Sequence, residues 1–160
     1  TISHRMEQNS GQAKVREWGM RNATGEYIIH CDSDAWVDTN MYHAMYEKAV
    51  AECADVIVCD YLIVDGDGSE RRIKACHSID SKMFLENLLF QRDPWSLCNK
   101  MFKRTSYYRD DFSYPKGPMG EDMAICIQTM WYCKKISYIE CAYYNYFVNA
   151  NSITSAQSDK

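Results

Sequence analysis

Apolar residues along this chain fall into two spacings, one near 3.6 and one near 2, and they divide it into alternating elements. Residues 11–22 predict a helix, with Val15, Trp18 and the small Gly19 placed to pack one face against a sheet. Ala23-Thr24-Gly25 then turns into residues 27–31, a short aromatic and β-branched run that suits a strand buried on both faces of a parallel sheet. Asp38 is the expected N-cap of a helix reaching about Cys53, with Tyr42, Met45, Tyr46, Ala49, Val50 and Cys53 inward. Residues 55–64 read as the next strand, Asp65-Gly66-Asp67-Gly68 as a hairpin turn, and residues 71–76 as the antiparallel return. Asp80 is expected to cap a helix that buries Phe84, Leu85, Leu88 and Leu89. Pro94 ends that region, and residues 95–102 form an extended, mostly buried segment with a polar Asn99-Lys100 step. Residues 110–120, with two prolines and two glycines, read as a loop. A helix over 121–133 places Met123, Ile127, Met130 and Trp131 inward, and residues 136–147 form an aromatic strand. The tail from about residue 149 is polar and expected to fray. Alternating strands and helices indicate an α/β chain with an antiparallel portion toward its end.

Composition narrows the class of protein. The chain has 160 residues, 46% hydrophobic and 25% charged, which suits one domain with a substantial core. The net charge is −4 and there is no basic stripe, so nucleic acid is not an expected partner. Eight cysteines are too few for a disulfide scaffold, none are spaced Cys-x-x-Cys, and a reducing cytoplasm is the simpler setting. No apolar run is long enough to cross a bilayer, and the opening residues do not read as a signal peptide. Residues 1–4 read as the end of a strand. The Asn22-Ala23-Thr24 sequon is incidental, since nothing indicates secretion.

Two acidic pairs carry the candidate chemistry. Asp32 and Asp34 follow the strand at 27–31, and ligands of open α/β sheets sit beyond such carboxyl ends. If the period-2 alternation continues, both side chains point the same way and make a hard-oxygen site for Mg²⁺ or Mn²⁺. The same two residues also suit an Asx-turn capping the next helix. Glu121 and Asp122 open a helix, where the macrodipole alone favours acidic side chains by about 0.3–1 kcal/mol each. Trp36 and Trp95 are large enough to stack on a flat ligand face, though large aromatics are more often core. Arg16 suits either a phosphate contact or a solvated helix surface. Tyr143, Tyr144, Tyr146 and Phe147 read as packing. His30 reads as a hydrogen-bonded core histidine.

Several motifs occur together, in order. Asn9-x-Gly11-x4-Arg16-x2-Gly19-x3-Ala23-x-Gly25-Glu26-Tyr27 is followed by Asp32-Ser33-Asp34, then by residues 95–104, Gly120-Glu121-Asp122, and Tyr144-x-Tyr146-x5-Ser152-Ile153-Thr154. This set resembles glycosyltransferase family 2 over nearly the whole chain. The resemblance implies an α/β, GT-A-like mixed sheet flanked by helices, in one domain that carries the metal, diphosphate and acceptor part. It implies transfer of a sugar from a nucleotide-sugar donor to the hydroxyl of a saccharide or glycoconjugate acceptor, with inversion, in the cytoplasm or at the inner face of the membrane. Peripheral membrane association fits the same reading. Asp32 and Asp34 correspond to the family's Asp-x-Asp, with Asp34 the expected direct ligand of a divalent metal. Asp122 corresponds to the catalytic base, Glu121 to its acidic neighbour, and Arg16 to an arginine near the donor.

The departures are informative. Glu17 stands where the family commonly has Asn, and Phe147, Val148 and Asn149 stand where arginines often follow Tyr-x-Tyr. The family's nucleoside-binding strands would precede Thr1. Without them the strand at 27–31, with residues 55–64 as its parallel neighbour, is expected to leave an apolar sheet edge open to a second copy. A truncated module that binds without turnover is therefore an alternative. A strand ending in Asp-x-Asp also resembles the haloacid-dehalogenase-like phosphatases, but Trp36 stands where that pattern wants Thr or Val.

Overall fold

The computed structural model describes residues 2–75, 80–117 and 120–148. In chain order it contains α1 (Gly11–Asn22), β1 (Tyr27–Ile29), β2 (Trp36–Val37), α2 (Met41–Glu52), β3 (Val56–Val64) and β4 (Glu70–Ile73). These are followed by α3 (Ser81–Leu89), β5 (Lys100–Lys103), a 3₁₀ turn (Arg104–Ser106), α4 (Glu121–Tyr132) and β6 (Ile136–Phe147). Residues 2–10 form no strand, contrary to the reading of the first residues, and Thr1, Cys76 and the Ser152-Ile153-Thr154 motif lie outside the described residues.

The sheet is mixed. Its strands run β1-β5-β3-β6-β2, and β4 also pairs with β3. The β3–β6 pair is parallel and every other pair is antiparallel. This corrects the expectation for β1: its neighbour is β5, antiparallel, with Ile28 opposite Phe102, and β3 lies one strand further in. A short, mostly apolar run reads alike for a central parallel strand and for an edge strand, because burial and not pairing direction sets the pattern. Only Ile28 of β1 is buried, as an edge position allows.

Alternation along β3 builds two cores. Val56 and Val58 face one side with Ile28, Phe84, Leu88, Leu97, Phe102, Ile125, Met130 and Ile136. Ile57 and Cys59 face the other with Met41, Met45, Ala49, Met101 and Tyr144. Helices α1, α3 and α4 cover the first face and α2 the second.

The helices form where the spacing predicts, with changes of phase. Asp80 caps α3, its Oδ1 accepting from the N–H groups of Lys82 (2.8 Å) and Met83 (3.1 Å), and Phe84, Leu85 and Leu88 go inward while Leu89 stays out. Asp38 is not the cap of α2. It folds an Asx-turn onto the Asn40 N–H (2.8 Å), and Asn40 precedes the first turn. On α2 the buried stripe is Met41, Met45 and Ala49, and Tyr42, Tyr46 and Val50 are exposed beside it. Two adjacent i, i+4 stripes are both apolar here, and periodicity cannot choose between them. On α4 the buried stripe is Ile125, Cys126, Thr129 and Met130, leaving Trp131 69% exposed.

Candidate functional site

The first three segments of the site meet at α1. Met20 anchors that helix in the core, and Tyr108 places its hydroxyl 2.9–3.0 Å from the carbonyls of Met20 and Ala23 at the helix end. Arg16, one turn earlier, reaches away from the helix toward the start of α4. There Gly120 adopts φ +84°, a backbone conformation that side-chain-bearing residues rarely take, and turns the chain so that Glu121 and Asp122 open α4. The turn after β1 brings in Asp32, whose carbonyl accepts from the Ala35 N–H at 3.3 Å.

The Arg16 guanidinium joins all three. Nη2 donates to Asp32 Oδ1 at 2.9 Å, and Nη1 donates to Glu121 Oε1 at 2.7 Å and to Asp122 Oδ1. Arg16 is 10% exposed and Glu121 4%, whereas Asp122 and Asp32 keep 28% and 38% of their side chains open. Each carboxylate has one more, neutral donor. Gln12 Nε2 reaches Glu121, the Leu97 N–H reaches Asp122 Oδ2 at 3.4 Å, and the Cys98 thiol reaches Asp32 Oδ2 at 3.4 Å.

A fourth segment, residues 94–99, is held in place by Lys100. This lysine is fully buried, and its ammonium donates to the carbonyls of Pro94 (2.8 Å) and Ser96 (2.7 Å) and to Asn99 Oδ1 (2.9 Å). Its three donors are thereby satisfied, and the loop that offers Leu97 and Cys98 to the carboxylates is fixed.

Burial and charge set the protonation of these groups. Burial pushes the Asp122 carboxyl up to about 6, Arg16 opposes that rise, and Glu121 and Asp32 add to it. Burial works against the charge on Arg16, but Asp122 and Asp32 outweigh it and hold the guanidinium above its usual value. Burial, then the Asp32 carboxylate, raises Cys98 to about 12, so it stays a thiol. Burial, then Arg16, lowers His30 to about 4, and its buried Nε2 has no hydrogen-bond partner among the described residues, which corrects the reading of a satisfied histidine.

Arg16, Asp32, Glu121 and Asp122 thus lie in one cluster. Asp34 lies apart from their contacts, exposed in the turn, because strand geometry ends at Ile29 and the period-2 alternation does not carry through. Among the described residues no group of three or more His, Cys, Asp or Glu is close enough to hold a metal ion. Asp32 and Asp34 are both oxygen donors with open side chains, which fits a cation completed by phosphate oxygens and water. Trp95 packs against the core and donates from Nε1 to the Leu88 carbonyl at 2.8 Å, while Trp36 is 48% exposed. Tyr144 is buried, and Tyr143 and Tyr146 pack against the second core. Lys100 lies within the motif segment 95–104 without a role assigned to it there, and Gln12 falls at a free position between Gly11 and Arg16. Their roles arise only once distant segments are brought together, although a lone lysine within an apolar run is a usable signal of a buried, fully paired ammonium.

The architecture is that of the GT-A glycosyltransferases: all of this chain superposes on 45% of the structure of TarS from S. aureus in complex with UDP-GlcNAc, at TM-score 0.77 and 16% identity. Residues 3–135 match the family description Glycosyl transferase family 2, and the chain belongs to that family. It is 24% identical over 96% of its length to EpsH of Bacillus subtilis, and 23% identical over 95% to a cholesterol galactosyltransferase of Borreliella burgdorferi. It spans 46% of each of those relatives. Family membership sets aside the phosphatase alternative.

Proposed function

We propose that this chain forms the acceptor and diphosphate side of a glycosyltransferase that moves a sugar from a nucleotide-sugar donor to an acceptor hydroxyl with inversion. The observation that carries the reading is the convergence of Asp32, Glu121 and Asp122, from two separate segments, on the buried fork of Arg16. TarS, whose fold this chain shares, has been solved with UDP-GlcNAc and with UDP, which supports a nucleotide-sugar donor. We propose a cytoplasmic setting, in solution or at the inner face of the membrane. No described helix is long and apolar enough to cross a membrane.

Asp122 is the base. Its carboxyl is the more open of the α4 pair, and a group pushed up to about 6 accepts a proton readily near neutral pH. It takes the proton from the acceptor hydroxyl as that oxygen attacks the anomeric carbon from the face opposite the departing diphosphate. Glu121, buried between Gln12 and Arg16, orients the start of α4. Asp34, with Asp32, would hold Mg²⁺ or Mn²⁺ beside the diphosphate, and such an ion supplies Lewis acidity to the leaving group when bound.

Calorimetry with UDP and Mn²⁺ on the wild type and on Asp34→Ala tests the donor end. Binding is expected in the wild type and lost or sharply weakened in the variant, and equal binding by both would remove Asp34 from the site.

A further inference from the structure

Each carboxylate of the cluster has its own neutral donor, but Arg16 is the cation common to all three. Its place is unlike that of a phosphate-binding arginine, which presents its fork to an open cleft. Here the side chain is 10% exposed, and both terminal nitrogens are directed at carboxylates of the chain itself. Those carboxylates come from two segments with no common strand, the turn after β1 and the first turn of α4. We propose that Arg16 is a positioning residue: its guanidinium ties the start of α4 to the turn after β1 and thereby sets Asp122 at a fixed place relative to Asp32. The inference rests on the reading of Asp122 as the base and Asp32 as part of the donor end.

The geometry explains why arginine is required. A planar fork with several fixed N–H groups can serve two directions at once, whereas an ammonium is a compact point charge on a flexible stem. Without the fork, Asp122 keeps the neutral Leu97 N–H but faces the like charges of Glu121 on its own helix and Asp32 on the turn, beside the neutral, buried Cys126 and Tyr107. Among the described residues, no other cation is paired with Asp122. An opposite charge at this range favours the ionised carboxylate by about 1–3 pH units, so removal of Arg16 has a direct readout at Asp122.

The test follows the Asp122 carboxyl by ¹³C NMR across pH in the intact 160-residue chain without substrate, for the wild type, Arg16→Gln and Arg16→Lys. Arg16→Gln is expected to raise the Asp122 midpoint by about 1–3 pH units, and Arg16→Lys to raise it by less, because charge returns without the fork. A brace that served only the fold would lower the melting temperature of Arg16→Gln and leave the midpoint where it was, and that result would overturn the proposal. Should Arg16→Gln not fold, Arg16→Lys decides alone: a raised midpoint supports the proposal and an unmoved one overturns it. No donor is present, so failure here is separate from failure of the transfer reading, which the Asp34→Ala binding comparison addresses.

Discussion

Arg16 Nη1 lies 2.7 Å from Glu121 Oε1, and only 10% and 4% of the two side chains reach solvent. A pair this closed has already given up its hydration, so its stability depends on staying whole.

Arg16→Met should therefore destabilise the chain by about 3–5 kcal/mol, since it strands buried carboxylate on Glu121 and leaves Asp122 and Asp32 uncompensated. Glu121→Gln keeps the size and an acceptor oxygen, and leaves Arg16 paired with Asp122 and Asp32. Its expected cost is smaller, about 1–3 kcal/mol. Urea denaturation of both variants measures the difference, and equal losses would contradict the central place of Arg16.

Asp122 gives the site a pH dependence of known sign. Its folded value of about 6 lies above the usual value near 3.9, so between those limits the folded state binds more protons than the unfolded one. This residue's contribution to stability is present below about pH 4 and declines as pH rises through about 6. The catalytic trend runs the other way, because a base must be deprotonated. In the enzyme that contains this chain, kcat/KM should rise with pH along a limb centred near 6. Asp122→Asn should remove that limb, lower turnover by about 10²–10⁴-fold, and flatten the fall of melting temperature between pH 4 and 6. Near-normal turnover in the Asn variant would reduce Asp122 to a helix-terminus charge.

Lys100 governs the loop that supplies the Leu97 N–H. Lys100→Met leaves the carbonyls of Pro94 and Ser96 and the Asn99 amide oxygen without their shared donor, for an expected loss of roughly 1–3 kcal/mol. More specifically, the Leu97 amide should lose protection in hydrogen exchange, because its contact with Asp122 depends on the loop. Unchanged exchange at Leu97 would assign Lys100 to packing alone.

Much of this arrangement was legible along the chain, and the exceptions share a physical origin. Helix α1 and strand β6 begin and end where the pattern places them, because one is bounded by polar and turn residues and the other is a long aromatic run. Arg16, Asp32, Glu121 and Asp122 were singled out by motif and do meet. What failed depended on partners distant in sequence. Nothing in residues 27–31 announces that residues 100–103 will lie beside them, antiparallel. Trp131 and Met130 are equally apolar neighbours on α4, and only the sheet against which the helix packs selects Met130. His30 sits in a run that looks like any core strand, and the lack of a hydrogen-bond partner for its Nε2 among the described residues is visible only in three dimensions.

The last prediction concerns the other side of β1. One edge of this strand pairs with β5, and among the described residues no strand pairs with the opposite edge. Tyr27 of this strand packs its ring edge-on to Tyr46, 6.1 Å between centroids, and Tyr42, Tyr46 and Val50 form an exposed apolar stripe on the covering helix α2. An open strand edge beside exposed apolar side chains invites pairing with another chain. The chain also spans less than half of EpsH and of TarS, so a donor pocket built jointly with further strands is compatible with its size. The 160 residues alone are accordingly expected to self-associate as concentration rises in sedimentation experiments, and to transfer no sugar from a nucleotide-sugar donor. Fusion to the family's nucleoside-binding strands should suppress the association, strengthen nucleotide-sugar binding and allow transfer. A monomer of these residues that stayed monomeric at high concentration and turned over a nucleotide sugar unaided would overturn both expectations.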